Sequence, residues 1–193
     1  MTRKHAQKAA LVALALALPV TGSTLAAQEQ APLRLRAFAI NLNNRARTNT
    51  IDIVIERWST PEEIERLRGI LIEQAGDRLL AALQKIRPRC GYTRTSNSLG
   101  WDLQFARETQ LEDGTRRIVV ATDRPISMWE ARNSPRSREY EFSLAEIRLG
   151  PDGKGQGKAI TMAKLAFDKE KNTLEIENYQ REPVRLNEIT IVK

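Results

Sequence analysis

Histidine and cysteine are almost missing from this chain. Each occurs once in 193 residues, as His5 and Cys90. The histidine falls in a leader described below, so the remainder has none. That absence removes Ser-His-Asp and Cys-His catalysis and every zinc site that needs an imidazole. A single cysteine cannot form an intrachain disulfide, so stability outside a reducing compartment must come from packing alone. Without a histidine beside it, Cys90 reads as a buried small apolar side chain rather than a nucleophile. Long apolar runs are missing too, since nothing after the leader approaches the ~20 residues that span a bilayer.

What is present begins with that leader. Arg3, Lys4 and Lys8 give a positive start without an acid, residues 9–18 are an unbroken run of Ala, Leu and Val, and Pro19 ends it. Small residues follow, from Thr21 to Ala27. These are the three parts of a cleavable secretory signal, with the cut expected after Ala26. No cysteine near the cut offers a lipid anchor. The expectation is an exported protein, periplasmic or extracellular, with a signal peptide over 1–26, a disordered tail over 27–32 and a single domain over 33–193. The chain carries 31 basic and 24 acidic side chains. The signal holds three of the bases and none of the acids, leaving 28 against 24, a net charge of +4 on 167 residues. With both signs interspersed, that is an ordinary solubility charge, and nucleic acid is not expected as a partner.

Periodicity then organises the domain. Residues 33–42 alternate, with Arg36, Phe38, Ile40 and Leu42 sharing one face, and residues 50–58 place Ile51, Ile53 and Ile55 inward against Asp52 and Glu56 outward. At Thr60-Pro61-Glu62-Glu63 the period changes. Thr60 is an N-cap, Pro61 suits the first helical position, and Glu63 completes a capping box. Ile64, Leu67, Ile70 and Leu71 follow helical spacing; Gly76-Asp77 reads as a break, Gly76 closing one helix and Asp77 capping the next, and Pro88 ends the helical segment. Strands are expected again over 92–95, 100–108, 116–122, 140–149, 158–167, 173–179 and 184–192, the last four joined as an antiparallel meander. The predicted fold is α+β: a mostly antiparallel, strongly curved sheet or barrel of about nine strands, with a helical insertion after the second strand.

Three places invite a functional reading. Gly153-Lys154-Gly155-Gln156-Gly157-Lys158 resembles a phosphate loop only superficially. Asp152 stands where that motif needs glycine, Ala159 where it needs Ser or Thr, and a strand follows instead of a helix. A hairpin tip is expected there. The segment Asp123-Arg124-Pro125-Ile126-Ser127-Met128-Trp129-Glu130-Ala131-Arg132 lacks periodicity and joins Trp to arginines and carboxylates. Arginines beside Trp can hold a carboxylate or phosphate by forked hydrogen bonds. Asn97-Ser98-Leu99-Gly100-Trp101-Asp102 is the third. Trp101, Arg124, Trp129 and Arg132 are therefore the candidate ligand-binding residues. No catalytic residue, metal site or cofactor is assigned.

The strings Ile55-Glu56-Arg57-Trp58-Ser59, Asn97-Ser98-Leu99-Gly100-Trp101-Asp102-Leu103 and Ala121-Thr122-Asp123-Arg124-Pro125-Ile126 resemble a group of uncharacterised exported bacterial proteins of similar size. The resemblance covers most of the mature chain. It implies export and a single domain, and it carries no catalytic role onto any residue.

The leading expectation is a non-enzymatic domain that binds a small anionic ligand or a partner protein, with no membrane span once the signal is removed. A pocket lined by Trp101 or Trp129 with arginines pointing in would favour the ligand, and a flat patch without a pocket the protein. The alternative is a carboxylate-dependent hydrolase acting on an extracellular or envelope glycan. It would need two of Asp102, Glu108, Asp123 and Glu130 to converge.

Overall fold

Alternation of apolar and polar side chains sets the first strands. In the computed structural model the described residues are 32–42, 48–74, 76–96, 98–126, 140–168, 170–171, 173–180 and 182–192. Strand β1 (Leu33–Ile40) pairs antiparallel with β2 (Thr48–Ile55), with Leu35 opposite Ile53 and Ala37 opposite Ile51. Those four face the interior. On the outer face Arg36 stands opposite Asp52 and donates to it at 2.9 Å. Helices α1 (Pro61–Gln74) and α2 (Gly76–Leu83) follow. The predicted capping box is formed: Glu63 N–H donates to Thr60 Oγ1 at 3.2 Å, and Thr60 N–H to Glu63 Oε2 at 3.0 Å. The break differs in detail, because Gly76 opens the second helix instead of closing the first.

Seven further strands follow: β3 (Gly91–Thr95), β4 (Trp101–Gln110), β5 (Arg116–Thr122), β6 (Phe142–Leu149), β7 (Lys154–Asp168), β8 (Thr173–Asn178) and β9 (Val184–Ile191). Strands β1 to β7 pair in sequence order, and β9 closes the ring by pairing with both β7 and β1. The result is an antiparallel barrel of eight strands with β8 outside the ring. Closure leaves no unpaired edge within the ring, which resolves the edge problem of so many strands.

The expected meander fails at one step: β9 pairs with β7, not with β8. The reason is the length of β7, 15 residues. Its first part, up to Ala159, carries β9, and its second part, from Ala163, carries β8 on the same edge. Strands β8 and β9 thus lie end to end along one neighbour. Opposite the interruption, Tyr179 N–H donates to Met162 O at 3.1 Å. Beyond the ring, β7 and β8 continue as a two-stranded ribbon.

Strand β7 also begins at Lys154, four residues before the predicted 158. The glycines that read as a hairpin tip are barrel wall. Gly155 and Gly157 lie on the interior register, opposite Leu149 and Ile147. A Cβ at Gly155 would stand 2.1 Å from Arg148 O, and one at Gly157 2.6 Å from Glu146 O. Glycine here permits the close backbone approach a barrel corner requires. The turn itself is at Gly153, whose φ of +75° suits glycine.

Two apolar clusters result. The barrel interior is filled by Leu35, Ile53, Leu103, Ile118, Ile147, Leu149, Leu186 and Ile189 among others, together with Cys90. The second lies outside the barrel, where Leu67, Leu79, Leu83 and Ile86 of the helical segment cover Phe142, Ala163 and Leu165. The helical insertion therefore covers one outer face of the sheet and the ribbon.

Candidate functional site

The end of the barrel where β2 begins and β5 ends gathers two of the four predicted site residues. Trp101 opens β4 opposite Thr93 and is half-buried on the interior register. Arg124 lies two residues past the end of β5, is exposed, and reaches back with Nη2 to Gly100 O at 3.4 Å. Trp129 and Arg132 lie outside the described residues.

Residues 123–126 are stitched across this end by hydroxyls from two strands. Thr122 Oγ1 donates to Arg124 O at 2.5 Å and accepts from Ser143 N–H at 3.2 Å. Ser143 Oγ donates to Thr161 O at 2.7 Å and accepts from Ile126 N–H at 2.6 Å. Ile126 N–H also donates to Thr161 O at 2.9 Å. These bonds satisfy buried polar groups that would otherwise be costly, and they bring Ile126 to the barrel mouth.

Beneath the strap lies a small chamber lined by Ile51, Ile53, Leu103, Val120, Ile126 and Leu186, with a volume of about 40 Å³. At roughly 10–15 Å³ for each water-sized occupant, it admits about three or four waters and no organic ligand of ordinary size. Neither Trp101 nor an arginine lines it. This chamber is therefore not the pocket of Trp and arginines that would favour an anionic ligand. Trp101 and Arg124 meet on the rim, above a filled interior. Beside them Leu99 is fully exposed in the turn between β3 and β4.

Of the carboxylates considered for hydrolysis, Asp102 and Glu108 are each engaged by an arginine. Asp102 is ion-paired with Arg89 at 2.6 Å, and Arg89 also holds Glu56 at 3.1 Å. Glu108 receives a forked pair from Arg116 at 2.6 and 2.9 Å. Asp123 stands at the strap, and Glu130 is outside the described residues. Donation to the Glu56 and Asp102 carboxylates raises the Arg89 guanidinium above its usual range, as donation to Glu108 does for Arg116. No group of three His, Cys, Asp or Glu among the described residues could hold a metal ion.

Cys90 is fully buried in the barrel core, as its type suggested. Its Sγ lies 3.5 Å from Ser59 Oγ and 3.5 Å from Gln104 O. Burial pushes the thiol up, more than the hydrogen bond to Ser59 and the Arg57 charge lower it. A protonated, inaccessible thiol is a poor nucleophile. Next to it, the buried Gln104 Oε1 has no hydrogen-bond partner among the described residues.

Sequence reasoning missed the hydroxyl stitch, because Thr122, Ser143 and Thr161 come from three strands and share no motif. It also passed over Leu99 as a binding group. The only signal there was an apolar residue inside a polar turn. No family model, curated protein or solved structure matches the chain.

Proposed function

We propose that this chain is an exported, non-enzymatic module that binds a partner protein through the rim of the barrel mouth, at Leu99, Trp101 and Arg124. The signal-like leader and the resemblance to exported proteins support export. One observation carries the choice of partner: the chamber under the strap, about 40 Å³, is too small for an organic ligand, while a fully exposed leucine stands beside a half-buried tryptophan and an exposed arginine. Interfaces draw their energy from aromatic, apolar and arginine anchors of this kind. The hydrolase alternative has less to stand on, since Asp102 and Glu108 are each neutralised by an arginine.

A photo-crosslinking residue at position 99 in the exporting cell tests the reading. The expected result is one adduct of defined mass, lost when Arg124 is also changed to Glu, and not formed from position 94 on the outer wall. The absence of any adduct from the rim would overturn it, as would the same adduct from both positions. A saturable thermal shift with a small anion that survives Arg124→Glu and Trp101→Ala would move the site elsewhere.

A further inference from the structure

The modest net charge of the sequence conceals how the fold distributes it. On β5, β6, β7 and β9 the interior positions are Ile118, Ile147, Leu149, Gly155, Gly157, Leu186 and Ile189, so the alternate residues face outward. Beyond the rows covered by the helices, the outward residues are largely basic. Register carries one row from Arg107 through Val119, Glu146 and Lys158 to Arg185 and Ile40. The next row runs through Arg117, Arg148 and Gln156, with Lys154 beyond it on β7.

Six cations thus share one wall. Glu146 receives hydrogen bonds from Arg117 at 2.7 Å and Arg148 at 2.9 Å. Although burial pushes the Glu146 carboxyl up, those two guanidinium groups outweigh it and hold the pKa below the usual range. The remaining cations are uncommitted: no carboxylate among the described residues lies within 4.0 Å of Arg107, Lys154, Lys158 or Arg185. The nearby acids are Glu188 at the β9 bulge, and Glu112, Asp113 and Asp152 in the two turns at one end of the wall. Both turn aspartates are occupied by backbone amides, Thr115 N–H at 2.9 Å and Lys154 N–H at 3.1 Å.

At the margin of this wall Phe38 stands opposite Asn187 and is 43% exposed. It shares its face of β1 with Arg36 and Ile40. A large ring held in solvent beside cations is the arrangement of a peripheral membrane contact, with the ring at the headgroup level and the cations over anionic lipid. The wall is convex and among the described residues carries a single ring, Phe38 at its margin, so a single-stranded nucleic acid finds neither a groove nor a run of rings on which successive bases could stack.

We propose that the outer wall formed by β4–β7 and β9 docks the protein on an anionic phospholipid surface, through Lys154, Lys158, Arg185 and Arg107 with Phe38 at the edge. This does not depend on the rim reading and uses different residues. The test is co-sedimentation of the mature protein with vesicles of phosphatidylcholine alone, or of phosphatidylcholine mixed equally with phosphatidylglycerol. Binding to the mixed vesicles alone, weakened by salt, is expected. At about fivefold in affinity for each cation near the surface, Lys158→Gln with Arg185→Gln should lose on the order of twenty-five-fold. Phe38→Ser should weaken binding in a way that salt does not mimic, whereas Arg94→Gln on the opposite wall should leave it unchanged. Circular dichroism of each variant establishes that it is folded. Equal binding to both vesicles, or a double variant that binds as the parent does, would overturn the proposal. So would tight binding to DNA or a sulfated polysaccharide without binding to the mixed vesicles.

Discussion

The barrel interior and the helix-covered layer are built from the same kinds of side chain but are closed differently. In the barrel, Ile118, Ile147, Leu149 and Ile189 come from three strands, each hydrogen-bonded to a neighbour on either side. None of these contacts survives alone, because removing one strand opens two edges. In the helix layer, Leu67, Leu79, Leu83 and Ile86 lie on a segment whose α-helices are 14 and 8 residues long, over a ribbon whose outer strand β8 has one paired neighbour. Helices of that length are marginal by themselves and depend on the surface they cover. Equal burial therefore does not mean equal cooperativity: the layer can loosen while the barrel stays closed.

The largest expected effect tests the closure itself. Gly155→Ala forces a methyl group to 2.1 Å from Arg148 O and 2.9 Å from Leu149 Cδ2. Because the obstacle is backbone, relief requires a strand to move, at a cost of about 3 kcal/mol or more. A urea midpoint well below the parent, or loss of soluble protein, is the expected outcome. An unchanged midpoint would show that the corner is slack.

Truncation separates the regions more finely. Ile147→Ala should cost about 2–5 kcal/mol and lower hydrogen-exchange protection across the barrel strands together. Leu83→Ala should lie toward the lower end of that range, with lost protection confined to α1, α2 and β8. If both variants loosen the same amides, the two clusters form one cooperative unit and the distinction falls.

Acid should act on both regions through one ion-paired carboxylate in each. The Glu63 carboxyl is held below its usual value of 4.5 chiefly by hydrogen bonds from Arg57, and Glu146 by Arg117 and Arg148. A carboxylate depressed on folding contributes stability that is present above its unfolded pKa and is lost as pH falls through the folded one. Stability should therefore fall below about pH 4.5. Glu63→Gln should flatten that fall in the helix signal, and Glu146→Gln in the barrel signal, each followed by site-resolved exchange.

The smallest effect has the opposite sign. Nothing lies within 4 Å of a Cβ built on Gly69 in α1. Gly69→Ala should raise stability by about 0.5–1 kcal/mol through helix propensity. It should do so without altering barrel exchange, measurable as a small increase in melting temperature.

Local grammar carried most of this fold. The capping box at Thr60 and Glu63, the alternation around Ile53, and the turn at Gly153 were legible because their causes lie within a few residues. What was not legible depends on distant register. That β9 bypasses β8 follows from how far β7 extends, and glycines at 155 and 157 mean wall instead of tip only once Arg148 and Glu146 stand opposite. The candidate site shows the same limit. Trp101 and Arg124 proved to be neighbours, but their placement on a rim follows from how completely Ile53, Leu103, Val120 and Leu186 fill the space below. The basic wall was hidden for a similar reason: Arg107, Arg148, Lys158 and Arg185 are spread over nearly 80 positions of chain and interleaved with acids.

The seam between β1 and β9 has a consequence in time. The ring closes only when the last strand lies between the first strand and β7. A nascent chain that has presented β1 through β8 still has two open edges and cannot lock its register. A polypeptide threaded through a membrane from its N-terminus would thus stay unlocked until its final strand emerged. Commitment to the native structure is then set by arrival of the C-terminus, and a chain stalled before β9 is left with two strand edges ready to pair with whatever is nearest.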